Sequence, residues 1–112
     1  MPKVLTQLVT AAAMWLLAFA APAAANVPVD LELILTVDVS RSMDEDEQRM
    51  QRDGYVAAIQ HPDVLDAIGD GLHGKIALTY VEWAGPDAQQ TLVGWRLIDG
   101  PPAAQAFAEE LA

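Results

Sequence analysis

The chain has 112 residues, no cysteine and a formal charge of −10, from 16 acidic and six basic residues. This charge, with no Lys/Arg cluster, excludes nucleic acid and anionic membrane surfaces as natural partners. No disulfide can stabilise the fold, so an apolar core or a bound metal must do so. The length allows one domain at most.

Residues 1–25 are typical of a secretory signal peptide. Lys3 gives a positive start, residues 4–21 are almost wholly apolar, and Ala23 and Ala25 satisfy the A-x-A cleavage rule. We predict cleavage after Ala25, export to the periplasm or the medium, and no stable membrane insertion afterwards. The alternative is an uncleaved anchor, because the apolar run nearly reaches the roughly 20 residues that span a bilayer.

The first half of the remaining chain predicts one strand and two helices. Residues 30–37 begin by alternating and become continuously apolar, which predicts a strand buried on both faces in its last half. Residues 43–60 predict an amphipathic helix, with Ser42 and Glu45 as its capping box. Pro62 should end that helix and open a second, short one.

The second half predicts two strands and a helix. Residues 75–83 and 91–98 read as strands, and their short connection makes them antiparallel neighbours. Residues 103–112 predict a helix with Phe107 and Leu111 on one face. This order of elements predicts an α/β fold, a mostly parallel sheet with an antiparallel edge strand. The aromatic side chains expected to pack in the core or at the sheet edge are Tyr80, Trp83, Trp95 and Phe107.

The residues from Asp38 to Ser42 are the candidate metal-binding residues. It follows the first strand, where the ligand sites of open α/β sheets lie. Asp38 offers a carboxylate, and Ser40 and Ser42 offer hydroxyls at alternate positions, so a turn can aim three oxygens at one point. Hard cations such as Mg²⁺ bind oxygen ligands of this type. Ser42 also has an alternative role as a helix N-cap.

Residues 33–43 resemble the first part of the metal-ion-dependent adhesion site of von Willebrand A domains, with its D-x-S-x-S pattern complete. Together with residues 80–85 and 97–101, they resemble an uncharacterised exported bacterial family of that superfamily. The resemblance implies a Rossmann-like sheet with helices on both faces. It also implies a divalent cation, Mg²⁺ with Mn²⁺ or Ca²⁺ as alternatives, held by Asp38, Ser40 and Ser42.

Such sites take a threonine and an aspartate from two later loops, and this chain ends before either. We therefore expect residues 26–112 to be a partial domain, truncated after the third strand and the helix that follows it. Neither His61 nor His73 supports a zinc site, because they are too far apart for a one-turn pair of ligands and no cysteine supplements them.

The expected function is binding rather than catalysis. A site with few carboxylates leaves the ion partly unneutralised, so an acidic group of a protein or another ligand can complete its shell. One alternative is a phosphohydrolase-like enzyme with Asp38 as nucleophile, although Ser40 stands where the D-x-D pattern requires a second aspartate. The other is a truncated fragment with a non-functional metal site.

Overall fold

The computed structural model describes residues 26–40 and 43–112, and the predicted signal peptide lies outside these ranges. The elements, in chain order, are β1 (Glu32–Asp38), α1 (Glu45–Ile59), α2 (Pro62–Gly69), β2 (Ile76–Trp83), β3 (Gln89–Ile98) and α3 (Pro101–Leu111). In the described ranges no helix is both long enough and apolar enough to cross a membrane.

The three strands form one mixed sheet in the order β1-β2-β3. β1 pairs in parallel with β2, in a continuous register from Glu32 opposite Ala77 to Asp38 opposite Trp83. β3 returns antiparallel to β2, with two irregularities in its register. Thr79 stands at the first of these and donates its hydroxyl to the Val93 carbonyl, 2.7 Å away. The predicted small α/β fold is confirmed, and this sheet is compatible with a Rossmann-like arrangement.

The capping-box prediction was wrong by two residues. α1 begins at Glu45, and its N-cap is Asp44. The Glu47 amide donates to Asp44 Oδ1 (2.8 Å), and the Asp44 amide donates to Glu47 Oε2 (3.0 Å). Aspartate caps as well as serine does, and its charge also favours the positive end of the helix dipole. Ser42 with Glu45 and Asp44 with Glu47 both have the spacing of a capping box, so the sequence alone did not distinguish the two pairs.

All three helices pack on the same face of the sheet. Leu33, Leu35 and Val37 of β1 contribute to a single apolar cluster with residues of β2, β3 and every helix. The cluster members with the least exposure are Val37, Leu78, Tyr80, Val93, Ile98, Ala104, Phe107 and Leu111. The prediction that Phe107 and Leu111 share a buried helical face is confirmed.

The opposite face of the sheet is open. Ile34 is 55% exposed and Trp95 50% exposed, and Thr36 and Trp83 are also exposed. The prediction of a strand buried on both faces was therefore wrong for β1. Helices on both faces of the sheet are likewise not found among the described elements. The apolar run of β1 would suit a strand that is covered on both faces of the sheet, but the described helices cover only one face.

Asp30 does not begin the first strand but clamps the loop before β2. Its carboxylate accepts hydrogen bonds from the backbone amides of His73 (2.8 Å) and Lys75 (3.3 Å). The bond from His73 is the main reason that the pKa of Asp30 is lowered from its usual value. Gly71 fits against this carboxylate, since a Cβ there would overlap Asp30 Oδ2.

Candidate metal-binding turn

Asp38 is the last residue of β1 and is exposed at the carboxyl end of the parallel strand pair. The next residue still pairs with β2, because the Val39 amide donates to the Trp83 carbonyl at 2.9 Å. The strand ladder therefore fixes the backbone on both sides of Asp38. Its carboxylate lies at the position where open α/β sheets bind ligands.

Ser40 begins the turn that leads into α1. Its carbonyl accepts a hydrogen bond from the Met43 amide at 2.9 Å. Ser40 is half-buried. Asp38 and Ser40 are thus brought to the same short connection between β1 and α1. Arg41 and Ser42 lie outside the described residues, so the third predicted ligand, Ser42, has no described position.

The start of α1 makes the surroundings of this turn acidic. The positive end of a helix dipole disfavours a cation nearby, and negative charge in the first turn offsets it. Here the first turn carries Glu45, Asp46 and Glu47, directly after the Asp44 cap. Asp44 and Glu47 are already engaged with each other's backbone amides. The acidic residues at the start of α1 therefore offset the positive end of the helix dipole. On the strand side of the turn, the carboxylate is that of Asp38.

No group of three or more His, Cys, Asp or Glu side chains that could hold a metal occurs within residues 26–40 and 43–112. The predicted site has a different composition, one carboxylate with two hydroxyls. His61 contributes to local structure instead, since its Nδ1 accepts a hydrogen bond from the Asp63 amide (3.2 Å) at the start of α2.

A shallow depression of about 260 Å³ lies beside the turn. It is lined by Val39 of the turn, by Glu82, by Ala84 and Ala88 of the β2–β3 connection, and by Gln89 and Gln90 at the start of β3. The exposed amides of these two glutamines can donate and accept hydrogen bonds. The depression gives a ligand at the turn room to approach.

Arg52 and Glu82 form an ion pair that the sequence did not reveal. Arg52 Nε and Nη2 bind the two carboxylate oxygens of Glu82, at 2.6 and 2.9 Å. The bond to Glu82 is also the main reason that the pKa of Arg52 is raised. This bidentate pair joins α1 to β2 one residue before the strand end that faces Asp38. Both Glu82 oxygens are occupied, so its role is to hold α1 on the sheet.

Tyr80 lies beneath this pair, fully buried. Its ring packs edge-to-face on Tyr55 of α1, with the ring centroids 5.4 Å apart. Its hydroxyl has no hydrogen-bond partner among the described residues. Burial, and then the nearby charge of Glu82, raises the pKa of Tyr80 to about 12. The prediction that Tyr80 belongs to the core is confirmed.

Tyr80→Phe should leave stability at neutral pH nearly unchanged or raise it, since the hydroxyl is buried without a partner. The raised pKa of Tyr80 means that the native state keeps its proton when the unfolded chain, near pH 10, loses it. Native stability is therefore complete below pH 10 and falls between pH 10 and 12. Urea unfolding across this range should show the fall in the parent and in a Tyr55→Phe control. Tyr80→Phe should show little of this fall in stability. If the fall is unchanged in Tyr80→Phe, it does not arise from the Tyr80 hydroxyl.

A family model described as "protein of unknown function (DUF1194)" matches residues 28–112. The chain belongs to the DUF1194 family. No curated protein and no solved structure gives a match. The region matched in this DUF1194 protein includes Asp38, Ser40 and the Arg52–Glu82 pair. The turn and the pair that holds α1 beside it are therefore parts of one family domain.

Proposed function

We propose that this DUF1194 protein is an exported binding module of von Willebrand A type. It uses a divalent cation, Mg²⁺ in the first place and Mn²⁺ or Ca²⁺ as alternatives, at Asp38, Ser40 and Ser42. The cation engages an acidic group of a protein or another ligand. The observation that carries the proposal is an exposed Asp38 at the end of a parallel strand, followed at once by the turn into α1.

The chemistry of the ligand set favours binding over turnover. One carboxylate and two hydroxyls neutralise only part of a divalent charge, and Mg²⁺ keeps waters at its remaining positions. A carboxylate of a partner can replace such a water and supply the missing negative charge. The depression beside Val39 offers the space for that approach, with the amides of Gln89 and Gln90 at its border.

Charge around the turn supports a cation rather than an anion. An unmodified helix N-terminus attracts anions, but the first turn of α1 carries three acidic residues and an aspartate cap. Of the two basic groups in α1, Arg52 is engaged by Glu82 and Arg49 faces Asp46. Apart from Arg41, which lies outside the described residues, the charged residues between Asp38 and the first turn of α1 are acidic, which favours a cation there.

Calorimetric titration with Mg²⁺ or Mn²⁺ tests the proposal on the exported full-length product. Asp38→Asn keeps the shape of the side chain but removes its charge, and it should weaken cation affinity at least about tenfold, since even outer-shell changes cost that much. The matched control is Asp99→Asn, an exposed aspartate beside the opposite end of the sheet. It should leave the affinity unchanged.

Two results would contradict the proposed site. One is the absence of cation binding in the parent protein, and the other is an equal loss of affinity in Asp38→Asn and Asp99→Asn. Thermal unfolding of both variants shows whether they remain folded, and a bound cation should raise the melting temperature of the parent by mass action. A phosphoryl group trapped on Asp38 would instead support the hydrolase.

A further inference from the structure

Two neighbouring residues of β2 hold the two sides of the turn between β1 and α1. On the strand side, the Trp83 carbonyl accepts a hydrogen bond from the Val39 amide at 2.9 Å. On the helix side, the Glu82 carboxylate binds Nε and Nη2 of Arg52 at 2.6 and 2.9 Å. In the register of the parallel pair, Glu82 and Trp83 lie opposite the last two residues of β1. Both links are internal to the described elements and need no free surface.

Apolar contacts do not fix the first half of α1. The residues of α1 that belong to the apolar cluster all lie in its second half: Tyr55, Val56 and Ile59. In the first half, Met50 is 73% exposed. Among the described contacts of α1, the pair of Arg52 with Glu82 is therefore the hydrogen-bonded link to the sheet that lies nearest the turn.

The geometry of this pair is directional. A guanidinium binds a carboxylate through two parallel bonds, which fix both the distance and the orientation of the two groups, whereas an ammonium acts as a point charge on a flexible stem. The Glu82 side chain is only 8% exposed, so water competes little for its oxygens. The start of α1 is thus held at a defined position over β2, and the residues between β1 and α1 span a defined gap.

Divalent cations differ in the rigidity that they require of such a turn. Mg²⁺ demands near-ideal octahedral geometry with ligands at about 2.0–2.1 Å, whereas Ca²⁺ accepts oxygens at about 2.3–2.6 Å in flexible arrangements. A turn that is held on both sides can present its oxygens at fixed positions, which favours the smaller ion. A turn that is loosened on one side loses this advantage but can still surround the larger ion.

We propose that the Arg52–Glu82 pair positions the turn that carries Asp38, Ser40 and Ser42, and thereby sets its preference for Mg²⁺ over Ca²⁺. Both members are positioning residues, since the two oxygens of Glu82 are already engaged by Arg52. They act on the cation through the backbone of the turn. This inference rests on the proposed cation site and adds the feature that determines its selectivity.

Arg52→Lys tests the proposal because it keeps the positive charge but gives up the two-bond geometry. In calorimetric titrations of the exported full-length product, the affinity for Mg²⁺ should fall on the order of tenfold, as for other groups that support metal ligands. The affinity for Ca²⁺ should fall much less, so the ratio of the two affinities drops. The two ions carry the same charge, so neither a changed potential nor a smaller folded fraction alters this ratio.

Arg96→Lys is the matched control. Arg96 binds both carboxylate oxygens of Glu110 in the same way, at 3.2 and 2.8 Å, but this pair joins β3 to α3 rather than α1 to β2. The control variant should leave the ratio of Mg²⁺ to Ca²⁺ affinity unchanged.

The double variant Arg52→Met with Glu82→Leu separates positioning from stability. Apolar replacement of both members of a buried ion pair often preserves stability, but it supplies no directional bond. The affinity ratio should therefore stay low in the double variant even where urea unfolding shows that it is as stable as the parent.

Hydrogen exchange reports on the turn without any cation. In EDTA, the Met43 amide, which donates to the Ser40 carbonyl, should exchange faster in Arg52→Lys than in the parent. The Ala77 amide, which donates to the Leu31 carbonyl at the far end of the parallel pair, should change much less. Equal acceleration at Met43 and Ala77 would contradict the proposal, because it indicates a general loss of stability.

Three titration results would also overturn the proposal. They are an unchanged affinity ratio in Arg52→Lys, an equal fall of the ratio in Arg96→Lys, and a return to the parental ratio in the double variant. In each of these cases the parent still binds a cation, so the proposed function stands. A parent protein that binds neither ion would instead remove the proposed function, and the selectivity with it.

Discussion

Replacing Arg52 by methionine is expected to lower the free energy of unfolding by about 3 kcal/mol, the cost of leaving a buried charge without its partner. The Glu82 side chain is only 8% exposed, and Arg52, 34% exposed, binds both of its oxygens. Methionine keeps most of the aliphatic stem but donates no hydrogen bond. For a folded unit of only the residues described, this loss would correspond to a fall in melting temperature on the order of 15 °C.

Arg49→Met is the matched control on the same helix. Arg49 pairs with Asp46 at 3.6 Å, and the two side chains are 70% and 89% exposed. Such a pair contributes at most about 0.5 kcal/mol. Equal effects of Arg49→Met and Arg52→Met in urea unfolding would show that the contact between Arg52 and Glu82 does not hold α1 on the sheet.

The double variant Arg52→Met with Glu82→Leu separates pairing from burial. Replacing both members of a buried ion pair by apolar residues is often neutral or stabilising, whereas removal of one is costly. The double variant should therefore recover most of the stability lost in Arg52→Met. No recovery would mean that the loss came from packing of the Arg52 stem rather than from an unpaired carboxylate.

The elements were predictable because their signals are local. The apolar periodicity, Pro62, and the turn between β2 and β3 predicted all six helices and strands and the antiparallel pair. Boundaries were less exact, since α3 begins at Pro101 and β3 at Gln89. Pro101 fits the first turn of a helix, where its missing amide is not needed, so the Pro-Pro pair opens α3 rather than preceding it.

Contacts between distant residues were not predictable in the same way. Glu82 interrupts an otherwise apolar half of β2, and a lone carboxylate there indicates a buried partner, but nothing in the sequence selects Arg52, 30 positions earlier. The choice follows from the packing of α1 across β1 and β2. The clamp of Asp30 on the loop at His73 spans 43 positions and was missed for the same reason.

The exposure of one face of the sheet could not be predicted from the apolar pattern of the strands. The continuous apolar run of β1 predicted burial on both sides; the strand does pair in parallel with β2, but one of its faces is exposed. An apolar pattern indicates which side chains can be buried, but it does not identify the residues that cover them. Ile34, Trp95 and Leu97 are exposed on that face.

For the metal-binding turn, the sequence predicted the position of Asp38 and Ser40 between β1 and α1, while cation binding itself stays a prediction.

Phe107→Ala is expected to cost about 3–5 kcal/mol, because the ring is 1% exposed and its removal leaves a cavity under α3. Phe107 lies with Ala104 and Leu111 on the face of α3 that packs against Val93 and Ile98 of β3. The whole stability of a domain is only about 5–15 kcal/mol, so this variant should be partly unfolded at 37 °C. Urea unfolding followed by circular dichroism measures the loss.

Gln105→Ala provides the control on the same helix, since Gln105 is exposed and bonds only to the exposed Glu109. Its effect should lie within about 0.5 kcal/mol. The ion pair of Arg96 and Glu110 also links α3 to β3, but it is substantially exposed and contributes at most about 1 kcal/mol. Apolar burial of one face of α3, with Phe107 as its largest side chain, therefore holds this helix in place. If Phe107→Ala costs no more than Gln105→Ala, α3 does not dock on β3 through this ring.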